Sequence, residues 1–356
     1  MQEDIEGFLY PLIDNSKCIH CHKCEKICPT TKTTVASNET TTYVGYSTQA
    51  DIRKQSSSGG IFSILANHIF EMNGIVIGAA FDDKYEVHHI AVEKENLFQL
   101  RGSKYVQSRL ETIYPLIRQN LMDGKTVLFS GTECQVAGLK SYLGKDYENL
   151  YTIDILCHGV PSPKIWRKYL KKKEAHANSQ INHIEFRNKT DGWKHYSVNF
   201  KFKNGSQDCI PYVSDPFMNM FLGNLDLRPS CYHCQFKKIP RNSDLTLGDC
   251  WGIDKLMPDM DDDKGTSVIL VHSAKGQHLL DSVKDTLMIK QAQLDQVLPP
   301  NAASREPVIP HPNRKKYLKA LEKNVDFDAL YAYEKRNYLQ KIVGLIKYLI
   351  RSKIHD

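Results

Sequence analysis

Residues 127–135 read VLFSGTECQ and residues 152–159 read TIDILCHG. Each is a short apolar run that breaks on small or polar turn residues, Ser130-Gly131 in the first and His158-Gly159 in the second. Each is followed by a segment with helical spacing, Gln135 to Leu143 and a stretch opening near Pro163. A strand, a turn and a helix repeated twice in succession predict parallel α/β organisation. Upstream, Ser58-Gly59-Gly60 opens a helical stretch, Ile61 to Met72, with Ile61, Ile64, Leu65 and Ile69 on one face, and a buried-type strand follows at Ile75 to Phe81. Residues 183 to 250 are richer in strand signals, with alternation in Tyr196 to Phe202. The expected fold class is therefore α/β with α+β character. No internal repeat of 20 to 50 residues is present.

The chain has 356 residues, 25% of them charged and 41% hydrophobic, with ten cysteines. A length prior points to about two domains. Gly74 to Phe81 is the longest charge-free apolar stretch, far short of the roughly 20 residues that span a bilayer. No secretory signal opens the sequence. A cytoplasmic protein is expected, with cysteines serving as metal ligands rather than disulfides. The net charge of +6 is concentrated at the C-terminal end, where Lys335, Arg336, Lys341, Lys347, Arg351 and Lys353 outweigh Glu334 and Asp356. The remaining body is near neutral, so no specific nucleic-acid partner is expected.

Cys18-x2-Cys21-x2-Cys24-x3-Cys28-Pro29 is the strongest local signal. Three thiolates at three-residue spacing on a tight loop grip three corners of a cubane, and a fourth Cys followed by Pro ligates the other cluster in two-cluster ferredoxins. Zinc is the alternative, but it usually draws on two separated pairs of ligands. Only one such string is present. The segment Met1 to Pro11 resembles the stretch between the two strings of a two-cluster domain, which gives the expectation that the natural chain begins earlier. Otherwise the four cysteines serve one cluster in adapted geometry. After a Thr-rich run, Thr30 to Thr42, that reads as a linker, the body begins.

Further cysteines are Cys134, Cys157, Cys209, Cys231, Cys234 and Cys250. Cys231-Tyr232-His233-Cys234 is a pair compatible with zinc, a redox dithiol or a cluster. Cys134 and Cys157 follow the two predicted strands, where ligands collect in open α/β sheets. An inner site of Cys134, Cys157, Cys231 and Cys234 is geometrically reasonable; the alternative for Cys134 or Cys157 is a small buried hydrophobe.

Several longer strings coincide with one family. Ser57-Ser58-Gly59-Gly60, Gly102 to Ser108 (GSKYVQS), Gly131 to Leu139 (GTECQVAGL), Cys157 to Pro163 (CHGVPSP), Leu227 to Cys234 (LRPSCYHC), Ser243 to Gly252 (SDLTLGDCWG) and Asp262 to Gly265 (DDKG) resemble the beta subunit of coenzyme F420-dependent hydrogenases and dehydrogenases. The resemblance runs from about residue 1 to 285. It implies FAD, one or two 4Fe-4S clusters, and electron transfer between an F420-like hydride carrier and one-electron carriers. Ferredoxin or another redox protein is the implied partner, with larger dehydrogenase subunits supplying any further activity. Many members occur where F420 is absent, so the carrier is left open, and a reductase of a sugar or other biosynthetic intermediate is one alternative. A zinc-stabilised binding or scaffold protein is the alternative from another class. Glu133 stands where the family commonly has Pro, and Cys250 where an aromatic is usual.

On this reading the domains are a ferredoxin-like 4Fe-4S segment at 1–40, a flavin and iron–sulfur body at 50–310, and a basic helical tail at 311–356. Ser57, Ser58, Gly59 and Gly60, opening a helix, are candidates for the cofactor phosphates, against a plain Ser/Gly turn. Lys104 and Tyr105 are candidates for phosphate and ring contacts, against a solvated Lys beside a core Tyr. Gly131 and Gln135 are candidates at the flavin edge, and His158 is a candidate proton donor or cluster neighbour, against a structural His. Arg228 and Lys237 are candidates to offset cluster charge. Asp249 is expected to order a turn, and the acidic run around Met260 lacks calcium-loop spacing. Tyr338 to Ile350 places Leu339, Ile342, Val343, Ile346 and Leu349 on one stripe, expected to touch the inner membrane surface peripherally, bind a partner, or dock on the body.

Overall fold

The computed structural model describes residues 1–31 and 39–335. Its centre is an eight-stranded mixed sheet. Four strands run parallel in the order Ile75–Phe81, Val127–Thr132, Leu150–Ile155 and Leu245–Asp249. These include both strands read from sequence: the one expected at Val127 to Phe129 runs on to Thr132, and the one expected at Thr152 to Cys157 lies two residues earlier, at Leu150–Ile155. Val87–Val92 pairs antiparallel on one edge. Ser267–Val271, Thr41–Ser47 and Leu287–Gln291 extend the other edge, also antiparallel.

The run read as a linker therefore ends earlier than expected. Thr41 and Thr42 pair with Val271 and Leu270, so their β-branched side chains serve a strand instead of a loop. The helix Ile61–Glu71 covers one face of the sheet with Ile61, Ile64, Leu65 and Ile69, the face its spacing predicts. Ile113–Met122 and Glu133–Leu143 cover the other. The sheet is thus dry on both sides, which is why its central strands read as continuous apolar runs.

A second layer packs beyond the Val87 edge. The helix Pro163–Ala177 starts on a Ser162 cap, with Pro at its first position where a missing N–H costs nothing. It buries Ile165, Trp166, Tyr169 and Leu170 against a three-stranded sheet, Ile181–Asn188, Ser197–Phe202 and Gln207–Pro211, and against the helix Pro216–Leu222. In Ser197–Phe202 the alternation does not separate inside from outside: every residue but Lys201 is buried, because both faces are covered. The helices Arg314–Glu322 and Phe327–Tyr331 complete this aromatic core with Tyr317, Leu321, Phe327 and Leu330. Burying each such side chain contributes about 1.5–3 kcal/mol before entropy is counted.

The N-terminal segment is fastened to this layer. Glu6, nearly inaccessible, pairs with Arg314 at 2.6 Å, and Phe8 is fully buried. The stripe at Tyr338 to Ile350 lies outside the described residues.

Candidate functional site

Parallel strands send their following loops apart, opening a crevice at their carboxyl ends. A cleft of about 750 Å³ occupies that place. Gly78 and Ala79, Ser130 to Thr132, Ile155, and Leu247 to Asp249 form its floor.

One wall is the Ser56–Ser63 turn. Gly60 takes φ +87° and precedes the helix Ile61–Glu71 without any side-chain cap, so the amides of Ile61, Phe62 and Ser63, residues that line the cleft, have no intrahelical acceptor. The turn is rigid because it is pinned from three sides. Ser57 Oγ accepts from the amide and hydroxyl of Ser103 at 2.8 and 3.0 Å. Ser58 donates to the Thr266 carbonyl at 3.1 Å, and the Gly59 amide donates to Ser267 Oγ at 3.0 Å. A Cβ on Gly59 would meet the Gly45 carbonyl at 2.7 Å, so only glycine fits. Ser57, Ser58 and Gly60 line the cleft, whereas Gly59 serves the packing behind it.

Cations surround this turn. Lys104 lies deep in the cleft, where loss of hydration pushes its pKa down to about 7, and its ammonium donates to the carbonyls of Arg101 and Gly102 at 2.9 and 3.2 Å. Arg101 donates to Ser63 Oγ at 3.2 Å. Lys189 is held to the carbonyls of Arg53, Ser58 and Lys264, and burial pushes it down to about 8. Desolvated ammonium groups beside free amides form a strong site for an anion.

The neighbouring wall is aromatic. Tyr105 packs against Phe186 and Phe221 at ring distances of 5.3 and 5.1 Å, and its hydroxyl accepts from Arg187 at 3.3 Å. Arg187 is paired with Asp249 at 2.8 Å, to which the Trp193 indole also donates at 2.9 Å. Asp249 therefore orders its surroundings, as its sequence context suggested, but through an ion pair invisible in the sequence. His89 is a wall residue that sequence reading missed. Its ring stacks on Phe129 at 5.3 Å, Nε2–H donates to the Ser130 carbonyl at 3.0 Å, and Nδ1 accepts from Ser108 at 2.7 Å. Burial lowers its pKa to about 4, so the ring is neutral.

Cys134, Cys231 and Cys234 line the same cleft. Cys157 sits two residues past the end of its strand, and the charges of Cys231, Cys134 and Cys234 all act on it. Cys134 is exposed on the cleft surface, yet loss of hydration among its neighbours, followed by the charges of Cys234, Cys231 and Glu133, pushes its thiol up to about 11. Such thiols stay protonated unless a positive centre takes the charge, which fits a thiolate-bound cluster. Lys237, donating to the His158 carbonyl at 2.8 Å, supplies an opposing charge to Cys157, Cys234 and Cys231. Among the described residues no three His, Cys, Asp or Glu side chains converge on a single metal ion; a cubane holds its thiolates farther apart than one ion does.

The N-terminal string is a loop with His20 and His22 at φ +53° and +54° and one short turn of helix, Lys23–Lys26. Cys21 and Cys24 are exposed, Cys18 and Cys28 half-buried. A hydrogen bond from Thr30 holds the Cys28 thiol below its ordinary pKa. Pro29 and Thr30 reach the cleft, so the end of this string and the inner thiols share one opening.

Three candidates are placed differently from their expected roles. Gln135 spends its oxygen on a capping box, accepting from the Thr132 amide at 2.9 Å, which leaves only its NH2 for the cleft. Gly131, in the same turn, lines the cleft, but a Cβ there would meet Gln135 Oε1 at 3.0 Å, so its smallness serves the cap. His158 is turned away: its Nε2–H donates to Asn224 at 2.7 Å, its ring meets Phe221 edge-on, and burial lowers its pKa to about 4. It is absent from the described cleft lining, and its geometry is that of a structural histidine. Glu133 is buried, its Oε1 taking both the amide and side chain of Asn242 at 2.7 Å, and burial with the Asp154 charge pushes it up to about 7. Cys250 is fully buried among Trp193, Ile253 and Val268, and Cys209 is exposed on a strand of the three-stranded sheet.

Residues 42–113 match the family model of the coenzyme F420 hydrogenase/dehydrogenase beta subunit N-terminus, and residues 124–297 match that of its C-terminus. Residues 11–30, containing the whole N-terminal Cys string, match a 4Fe-4S binding domain. No curated protein matches the chain. A chain of the F420-reducing [NiFe] hydrogenase complex from Methanosarcina barkeri is similar at 18% identity and a TM-score of 0.48, covering 80% of this chain and 90% of that one, a likeness too distant to carry function. The two family matches together span most of the chain and take in the cleft, the Ser-Gly turn and the inner cysteines, so this protein belongs to the coenzyme F420 hydrogenase/dehydrogenase beta-subunit family, an oxidoreductase family, and carries a 4Fe-4S binding domain at its N-terminal end.

Proposed function

We propose that this iron–sulfur oxidoreductase is a flavoprotein that holds FAD in the cleft and passes electrons between a two-electron hydride carrier and one-electron carriers. The observation that carries this reading is the convergence on one cleft of an uncapped helix N-terminus, inner thiols, and the Pro29-Thr30 end of the N-terminal Cys string. When bound, FAD supplies the junction between two-electron and one-electron chemistry.

The chain's own residues do the rest. The amides after Gly60, with Lys104 and Arg101, take the charge of a diphosphate. Tyr105, braced by Phe186 and Phe221, presents an aromatic surface. His89, neutral and clamped between Ser108 and Ser130, adds no charge of its own to that wall. Cys134, Cys157, Cys231 and Cys234 hold a second 4Fe-4S cluster, and Lys237 offsets its charge. Ferredoxin or another redox protein exchanges electrons at the exposed N-terminal string, and larger dehydrogenase subunits are further partners.

The test is anaerobic purification, with acid-released flavin, iron and sulfide quantified, followed by parallel mixing with reduced coenzyme F420, NADH, NADPH and reduced ferredoxin. Brown protein that releases flavin and is reduced by one of these carriers is expected. A colourless protein holding stoichiometric zinc would overturn the reading.

A further inference from the structure

Outside the cleft, the described surface carries a concentration of cations on two helices that chain order keeps far apart. On Pro163–Ala177, Lys164, Lys168 and Lys171 recur at spacings of four and three, and on the turns of Arg314–Glu322 and just beyond, Lys315, Lys319 and Lys323 recur every four. Residues three and four apart share a helix face, so each set forms a stripe. The fold joins the two stripes. Lys168 Nζ donates to Asn324 Oδ1 at 3.0 Å and to the Val325 carbonyl at 2.8 Å, and both acceptors directly follow Lys323. Lys168 also feels the charges of Lys164 and Lys171, opposed by Asp326.

The neighbouring cations are used differently. Arg167 pairs with Glu3 and Glu86, Lys172 with Asp328, Lys173 with Asp208, and Arg314 with Glu6. None of the six stripe lysines forms an ion pair among the described residues. Lys171, Lys315, Lys319 and Lys323 are exposed and Lys164 and Lys168 half-buried, with Glu322 and Asp326 as the exposed acids beside them. The fold has thus ion-paired the cations it needs for packing and left a row without an acidic partner, of which Lys168 is held by neutral oxygens.

We infer that this two-helix lysine face docks on an anionic lipid bilayer. Its ligand must present many negative charges over a broad area, as a lipid surface and a nucleic acid both do. Two facts favour lipid. The described chain ends at Lys335, whose carbonyl accepts from Asn313 Nδ2 at 3.2 Å, so it leaves the body beside the start of the second basic helix. The 21 residues that follow, 336–356, combine further cations with the apolar residues Leu339, Ile342, Val343, Ile346 and Leu349. A nucleic acid gives such apolar residues nothing to bury, whereas a bilayer takes them beneath its headgroups. No helix among the described residues is long and apolar enough to cross a membrane.

The experiment is co-sedimentation of the full-length holoprotein with vesicles of phosphatidylcholine alone or with about 30% phosphatidylglycerol, which gives the surface a strong negative potential. Binding to the anionic vesicles only, lost at high salt, is expected. A Lys164→Gln/Lys168→Gln/Lys171→Gln variant loses more than about tenfold in partition, since each surface lysine contributes about fivefold. A Lys315→Gln/Lys319→Gln/Lys323→Gln variant loses a similar amount and keeps the test open if the first set misfolds. Equal binding to both vesicle types, or either folded variant binding as the wild type does, overturns the inference. So does tighter binding to duplex DNA than to the anionic vesicles at the same salt. The outcome does not depend on which cofactor fills the cleft.

Discussion

Ser141 Oγ donates to the carbonyl of Ile27 at 2.5 Å, joining the helix that begins beside Cys134 to the residue before Cys28. This contact links the segment bearing the N-terminal cysteines to an element of the inner cysteine site, and Pro29–Thr31 packs on the same helix.

Replacing Ser141 by Ala removes one side-chain hydrogen bond, worth about 1 kcal/mol or less at a surface. The expected result is faster stripping of the N-terminal iron by a chelator, with the global unfolding midpoint nearly unchanged. A stripping rate equal to that of the wild type would show the contact to be idle.

The inner site can be separated from the N-terminal one by composition. Cys231→Ser should lower the iron content by about four atoms per chain, the loss of one cubane, while the Cys18–Cys28 signal in electron paramagnetic resonance persists. A variant that retains all its iron would show that the inner thiols hold no cluster.

Lys104 makes anion affinity depend on pH. Burial lowers its pKa to about 7, so its charge is present below that value and fades above it. The dissociation constant of FAD for the flavin-free protein should therefore rise with pH above 7, by up to about tenfold per unit where one proton is taken up on binding. Lys104→Met should weaken binding at pH 6 and flatten the profile. An unchanged slope in the variant would place the anion elsewhere.

Asp226 is fully buried, and among the described residues no side chain hydrogen-bonds its carboxyl group; only its own amide and that of Ser162 pull weakly on it. Burial, then the charge of Glu6, pushes its pKa from 3.8 up to about 7, against the pull of Arg314. A raised carboxyl pKa means the folded state binds the proton more tightly. Its destabilising share therefore grows as pH rises from about 4 and is complete above 7. Asp226→Asn should be more stable than the wild type at pH 8, on the order of 2–4 kcal/mol, and nearly equal to it at pH 4. Urea unfolding at the two pH values measures the difference. His89, with its pKa lowered to about 4, acts in the opposite sense below pH 6.5 in both proteins and cancels in the comparison.

The parallel strands were legible because an apolar run ending in Ser130-Gly131 or His158-Gly159 is a local pattern. The antiparallel flanks were not. Thr41 and Thr42 read as the end of a Thr-rich run, and only the pairing of Thr41–Ser47 with Ser267–Val271 and Leu287–Gln291 makes them part of a strand. In the cleft, the Ser57–Gly60 turn stood out by composition. His89 did not, because its partners Ser108 and Ser130 lie 19 and 41 residues away. The pairing of Arg187 with Asp249 spans 62 residues and was equally hidden.

The chain's linear order alone determined the cluster chemistry at its N-terminus. Ligands three residues apart on one loop meet around three corners of a cubane without help from distant segments. It also determined the strand–turn–helix units, since periodicity is a property of neighbours. Tertiary structure decided which groups share a cleft and what charge they carry. Lys104 and Lys189 lose part of their charge, and Gln135 and His158 are committed to structural bonds, because desolvation and hydrogen-bond partners come from segments that only packing brings together.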